Sequence, residues 1–132
     1  MIRRHIIPAI LLLLTFPFAS FAADDHVDYT PAAYSAAIDN GQPLLVDFYA
    51  SWCGTCRAQQ RTIASLQSEN AAYKNVTVMR VDWDKYGRSD FAKSLKIPRR
   101  STLVMFTGGK EVGRVVAQTG SSEIEALYKL VM

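Results

Sequence analysis

The chain has 132 residues, two cysteines and a formal net charge of +3. That length leaves room for one domain with one core, and two cysteines exclude a multi-disulfide scaffold or a four-cysteine metal site built from a single copy. Arg3 and Arg4 are two of the fifteen basic residues, so beyond residue 22 thirteen basic side chains face twelve acidic ones, a balance that gives no reason to expect nucleic acid as a partner.

Arg3 and Arg4 precede an apolar run from Ile6 to Phe18, closed by the small residues Ala19, Ser20, Ala22 and Ala23. This is the three-part pattern of a secretory signal peptide spanning residues 1–22, cleaved after Ala22, with residues 23–132 as a periplasmic or otherwise exported domain. The alternative is a retained N-terminal membrane anchor, but Pro8, Thr15, Pro17 and Ser20 interrupt the run. No cysteine lies near the cleavage site, which excludes lipid attachment there.

Ala23 to Tyr29 is short and acidic, and is expected to be poorly ordered or to add an edge strand. Thr30-Pro31 reads as an N-cap followed by proline at the first helical position, and Asn40-Gly41 as the stop, giving a helix over 31–40 with Tyr34 and Ile38 turned inward. Leu44 to Ala50 is a short apolar run fit for a buried central strand. From Cys53 the pattern turns helical, with Cys56, Ile63 and Leu66 recurring among Gln, Arg and Ser to about Ala72.

Val76 to Val81 is a second strand, most simply parallel to the first because a helix intervenes. Ser89 to Leu95 is a helix ending before Pro98, with Phe91, Ala92 and Leu95 on one face. Thr102 to Phe106 and Glu111 to Ala117 flank Thr107-Gly108-Gly109-Lys110, a hairpin signal. Ser121 is expected to cap a last helix with Glu123 and Glu125 in its first turn. The order implies a mixed sheet covered by helices on both faces.

The stretch Leu44 to Cys56, LLVDFYASWCGTC, organises the rest. Its two cysteines are spaced so that their sulfurs reach each other, and the pair does either redox chemistry or very little. A strand, then Trp-Cys-Gly-Thr-Cys, a helix, a strand, a helix, and a Thr-Leu strand with a glycine hairpin is similar to the thioredoxin family over nearly all of residues 23–132. The resemblance implies an α/β thioredoxin fold, a central mixed sheet flanked by helices on both faces. It also implies a thiol–disulfide oxidoreductase with no cofactor and no metal, acting as a monomer on protein thiols and disulfides.

Cys53, where a strand passes into a helix N-terminus, is the expected nucleophile, because unpaired amides and the helix dipole there lower a thiol pKa to about 3.5–7.5. Cys56, one turn later, is the expected resolving thiol. Two other readings stand beside this one. A merely stabilising disulfide would close a very short loop and gain little. Two such pairs in a dimer could instead hold a metal or an iron–sulfur cluster in a non-catalytic module.

The family resemblance maps Asp47 onto a buried acid that relays protons to and from the resolving cysteine, and burial would raise its pKa. Arg80 occupies a position often lysine in the family and would modulate that acid. Trp52 would shield the disulfide and present a docking surface, or simply pack in the core. The expected substrate-binding set is Trp52, Gly54, Thr55, Arg100, Ser101 and Thr102.

Thioredoxins carry a cis-proline immediately before the Thr-Leu strand. Counting back from Phe106 puts Ser101 at that position; the other register gives Pro98 the role with residues 99–101 as a bulge. A hydroxyl at Ser101 could hydrogen-bond the Cys53 thiolate. Thr55, Arg61 and Gln118-Thr119 also depart from the family pattern, and with Arg99 and Arg100 would make a more polar groove, suited to an acidic or polar partner segment; the alternative is that the two arginines are merely solvated. Small members without an inserted helical domain are more often reductants, which implies a membrane electron donor and service in cytochrome c maturation or disulfide repair.

Overall fold

The structure, a computed structural model, describes residues 25–132. The expected signal peptide and its cleavage site lie outside the described residues. Strands β1 (Val27–Asp28), β2 (Leu44–Tyr49), β3 (Thr77–Asp82), β4 (Thr102–Thr107) and β5 (Lys110–Val116) form one sheet in the order β1-β3-β2-β4-β5. β2 runs parallel to β3 and antiparallel to β4. The helices are α1 (Pro31–Asp39), α2 (Gly54–Glu69), α3 (Trp83–Tyr86), α4 (Asp90–Ser94) and α5 (Ser121–Lys129), with a 3₁₀ turn at Ala71–Asn75.

Local chemistry explains the boundaries. The Thr30 hydroxyl accepts from the Ala33 amide at 3.0 Å, and Pro31 opens α1 without an amide to satisfy. The β4–β5 turn places Gly108 and Gly109 at φ of +57° and +76°, the double left-handed pair that a two-residue hairpin with native twist requires. Beyond it the pairing shifts from Phe106–Glu111 to Met105–Gly113, so Val112 is an extra residue in β5.

Residues alternate across β2. Leu44, Val46 and Phe48 join Met79, Val81, Val104 and Phe106 under α1, α3 and α4. Leu45 joins Val78, Leu103, Met105 and Val115 under α2 and α5, where Ile63, Leu66, Ile124, Leu127 and Tyr128 close the second core. Asp47 shares the face of Leu45, so the strand that reads as apolar directs its carboxylate beneath α2.

Of the two readings of the acidic segment, the edge strand holds: it supplies β1, whose Val27 and Asp28 pair with Met79 and Arg80 at the sheet edge, and Tyr29 anchors it by stacking on Phe91 at 4.4 Å between centroids. Two elements differ from the sequence reading. α3 begins directly after β3, with Asp82 accepting from the Asp84 amide at 3.0 Å. Ser121 does not cap α5: Gly120 holds the N-cap without a side-chain bond, and the Glu123 carboxylate folds into the space a Cβ on residue 120 would fill. Glu125 lies beyond the first turn, pairing with Lys129 at 3.2 Å and accepting from the Tyr73 hydroxyl at 2.8 Å.

Candidate active site

β2 ends at Tyr49, and the chain turns through Ala50, whose carbonyl accepts from the Cys53 amide at 3.1 Å. Cys53 is the N-cap of α2, with φ −87° and ψ 111°. It is bonded to Cys56 as a disulfide, with 5.3 Å between Cα atoms. The Cys56 amide donates to the Cys53 sulfur at 3.2 Å. One of the orphan donors of the helix terminus is thus aimed at the sulfur that caps it, which favours negative charge there. Cys53 keeps 2% of its surface and Cys56 none.

Across from the pair sits Ser101, not Pro98, which is exposed. The Ser101 hydroxyl lies 3.2 Å from the Cys53 sulfur and 3.0 Å from the Cys56 sulfur. Among the described residues no peptide bond is cis, so the Arg100–Ser101 bond is trans; Ser101 instead takes φ +62°, a left-handed conformation that residues with a side chain rarely adopt. Its amide donates to the Phe48 carbonyl at 2.8 Å, and its carbonyl accepts from the Ala117 amide at 2.8 Å. The Thr102 hydroxyl is turned to the Arg99 carbonyl at 2.7 Å, which fastens the loop.

Trp52 is 56% exposed, so the core-packing reading does not hold. Its indole N–H donates to both Asp84 carboxylate oxygens, at 3.0 and 3.2 Å, and the Arg100 guanidinium lies 4.5 Å from the ring centroid. The plate is held at its edge by an acceptor and on its face by a cation. Gly54 opens α2 beside the Arg57 side chain, whose guanidinium donates to the Ser51 carbonyl at 2.9 Å; Thr55 is half-buried. α2 continues through Arg61 as an unbroken helix.

Asp47 is completely buried and pairs in register with Arg80 of β3. Because partners in a parallel ladder face the same side, the Arg80 Nε reaches 3.6 Å from the Asp47 carboxylate. On its outer side the Arg80 guanidinium lies 3.1 Å from His26 Nδ1, and His26 lies 3.4 Å from Asp28. The acid therefore sits in a charge network that runs to the sheet edge. Among the described residues no group of three or more His, Cys, Asp or Glu gathers to hold a metal.

Sequence reasoning missed Gln59, Asp84 and His26. Gln59 is completely buried, and its amide donates to the Ser101 carbonyl at 3.0 Å and the Gln118 carbonyl at 2.9 Å. Its signal was present: 56, 59, 63 and 66 form one helical stripe, and Gln59 stands on it. Asp84 follows the carboxyl end of β3, which in a parallel pair lies beside the carboxyl end of β2 and so beside Trp52.

A sulfur at a helix N-cap, a second one turn on and a hydroxyl between them form the redox-active pair of a thiol–disulfide oxidoreductase of thioredoxin fold. The thioredoxin family profile matches residues 25–130, and the chain belongs to that family. It is similar to the thioredoxin of Alicyclobacillus acidocaldarius, 32% identical over 97 residues, which cover 74% of this chain and 89% of the relative. It is similar also to thioredoxin Asp f 28 of Aspergillus fumigatus, 32% identical over 76% of this chain and 88% of that one. The crystal structure of Trxlp from Edwardsiella tarda superposes with a TM-score of 0.66 at 31% identity, covering 80% of this chain and 98% of that one.

Proposed function

We propose that the protein is an exported reductant of protein disulfides, returned to its dithiol form by a membrane electron donor. The Cys53 thiolate attacks a partner disulfide, forms a mixed disulfide and expels one partner thiolate. Asp47 takes the Cys56 proton, and the resulting thiolate attacks the Cys53 sulfur. The Cys53–Cys56 disulfide closes and the second partner thiolate leaves, so two electrons pass from dithiol to partner. Ser101 donates a hydrogen bond to the sulfur that carries charge. Trp52, Gly54, Thr55 and Arg100 line the groove that receives the partner segment, with Arg100 favouring an acidic or polar one.

The observation that carries this reading is Cys53 at the N-cap of α2, supplied with an amide donor at 3.2 Å and a hydroxyl at 3.2 Å. Direction rests on analogy with small members that lack an inserted helical domain; between β3 and β4 only the short α3 and α4 intervene. Export rests on the pattern of residues 1–22. Insulin reduction by dithiothreitol tests the chemistry: wild type is expected to accelerate it and Cys53→Ser to leave the background rate. No rate above Cys53→Ser, with stoichiometric metal on the purified protein, would favour the metal-binding module instead. A mass corresponding to residues 23–132 in the extracytoplasmic fraction is the expected export result; full-length protein in the cytosol contradicts it, and full-length protein in the membrane fraction makes the segment an anchor.

A further inference from the structure

We infer that Gln59 is a positioning residue for the disulfide-exchange reaction, holding the Ser101 hydroxyl between the two sulfurs; this rests on the reading of Ser101 as the thiolate donor. Gln59 makes no hydrogen bond to either sulfur. Its single NH₂ group bridges the carbonyls of Ser101 and Gln118, at 3.0 and 2.9 Å, and so ties α2 to the segments before β4 and after β5. Both segments need a tie. Ser101 stands at φ +62° and Ala117 at φ +60°, and the Ala117 amide donates to the same Ser101 carbonyl at 2.8 Å. Residues with a Cβ persist in that conformation when surrounding bonds over-determine it.

The amide is not there for packing. Among the described residues its buried carbonyl oxygen has no hydrogen-bond partner, an unfavourable arrangement that an apolar side chain of the same size would avoid. Gln59 is therefore useful for its two donors. If they are removed, the Ser101 backbone can relax toward ordinary φ, which swings its Cβ and hydroxyl off the sulfurs. In place, the hydroxyl stands 3.2 Å from one sulfur and 3.0 Å from the other. Rotation of the O–H alone then lets it serve Cys53 as nucleophile and Cys56 during resolution.

The test is the pH dependence of Cys53 alkylation in the reduced full-length protein, for wild type, Ser101→Ala, Gln59→Met and the double variant. Ser101→Ala is expected to raise the Cys53 pKa by about one unit, the size of one lost hydrogen bond to a charged group. Gln59→Met is expected to raise it by at least half as much, and to add nothing once Ser101 is alanine. Gln59→Leu provides a second apolar replacement should the methionine variant fail to fold. In wild type, the Gln59 side-chain amide protons should exchange slowly with solvent, which needs no variant.

If Ser101→Ala shifts the pKa and neither Gln59 variant does, or if their shifts add in full, the positioning role is wrong while the serine role stands. If Ser101→Ala leaves the pKa unmoved, the serine reading falls and this inference with it. Rapid exchange of the Gln59 amide protons likewise overturns it.

Discussion

The two faces of the sheet are built from alternate residues of the same strands, yet they are chemically unlike. Under α1, α3 and α4 the core is dominated by apolar side chains and rich in rings, with Thr102 its buried polar residue at the active-site end: Tyr29, Tyr34, Phe48, Phe91 and Phe106 form a continuous set of stacked and edge contacts. Under α2 and α5 the apolar cluster gives way, toward the active-site end, to buried Asp47, Arg80 and Gln59. Burying such groups is unfavourable unless they are paired, so a face that concentrates them is organised for chemistry, while the other supplies the stability.

The largest effect is expected on the apolar face, in stability alone. Phe106 is 4% exposed, contacts Tyr34 edge-on at 6.0 Å, and pairs with Leu44 at the end of β2 away from the cysteines. Phe106→Ala should destabilise the protein by about 3–5 kcal/mol in denaturant titration and leave the Cys53–Cys56 reduction potential unchanged. A shifted potential would mean that the faces are not separable.

On the polar face the opposite outcome is expected. Asp47→Leu alone leaves Arg80 without its carboxylate and should destabilise by about 3–5 kcal/mol, whereas Asp47→Leu with Arg80→Met should be neutral or stabilising by about 1–4 kcal/mol. The double variant should also slow the resolution step, measured as a longer-lived mixed disulfide. A double variant that is less stable than wild type would show that the charge pair serves the fold.

The smallest effect concerns alkali. Burial pushes the Tyr128 phenol up from 10.0 to about 12, Gln67 pulling slightly the other way and Asp47 adding to the rise. The folded pKa lies above the unfolded one, so the neutral phenol's contribution is complete below pH 10 and is lost as pH climbs toward about 12. Unfolding free energy should fall over that window by about 2 kcal/mol, and Tyr128→Phe should flatten the decline. The same slope in both proteins would contradict it.

The architecture was legible because each element carries its own signal. Thr30-Pro31 and Asn40-Gly41 bound α1, the double glycine makes the hairpin, and alternation in β2 sorts its residues by face. The site was legible where one residue type stands out: two cysteines in the whole chain, one carboxylate in an apolar strand. Gln59 was hidden because Gln60 and Gln67 on the same helix are only half-buried, and whether one amide is buried depends on the loops that fold over it. Asp84 and His26 act on Trp52 and Arg80 from segments distant in sequence, and only the parallel pairing of β3 with β2 and β1 brings them there. Ser101 could be placed by counting from Phe106, but its left-handed backbone depends on Gln59 and Ala117.

The central claim is that the end of α2, with its amide and the Ser101 hydroxyl, stabilises a thiolate on Cys53. Titration of the reduced protein by Cys53 alkylation rate against pH measures this directly. A pKa between about 3.5 and 7.5 is expected; a value near the free thiol's, about 8.5, would mean that the helix end and the hydroxyl do not stabilise the thiolate.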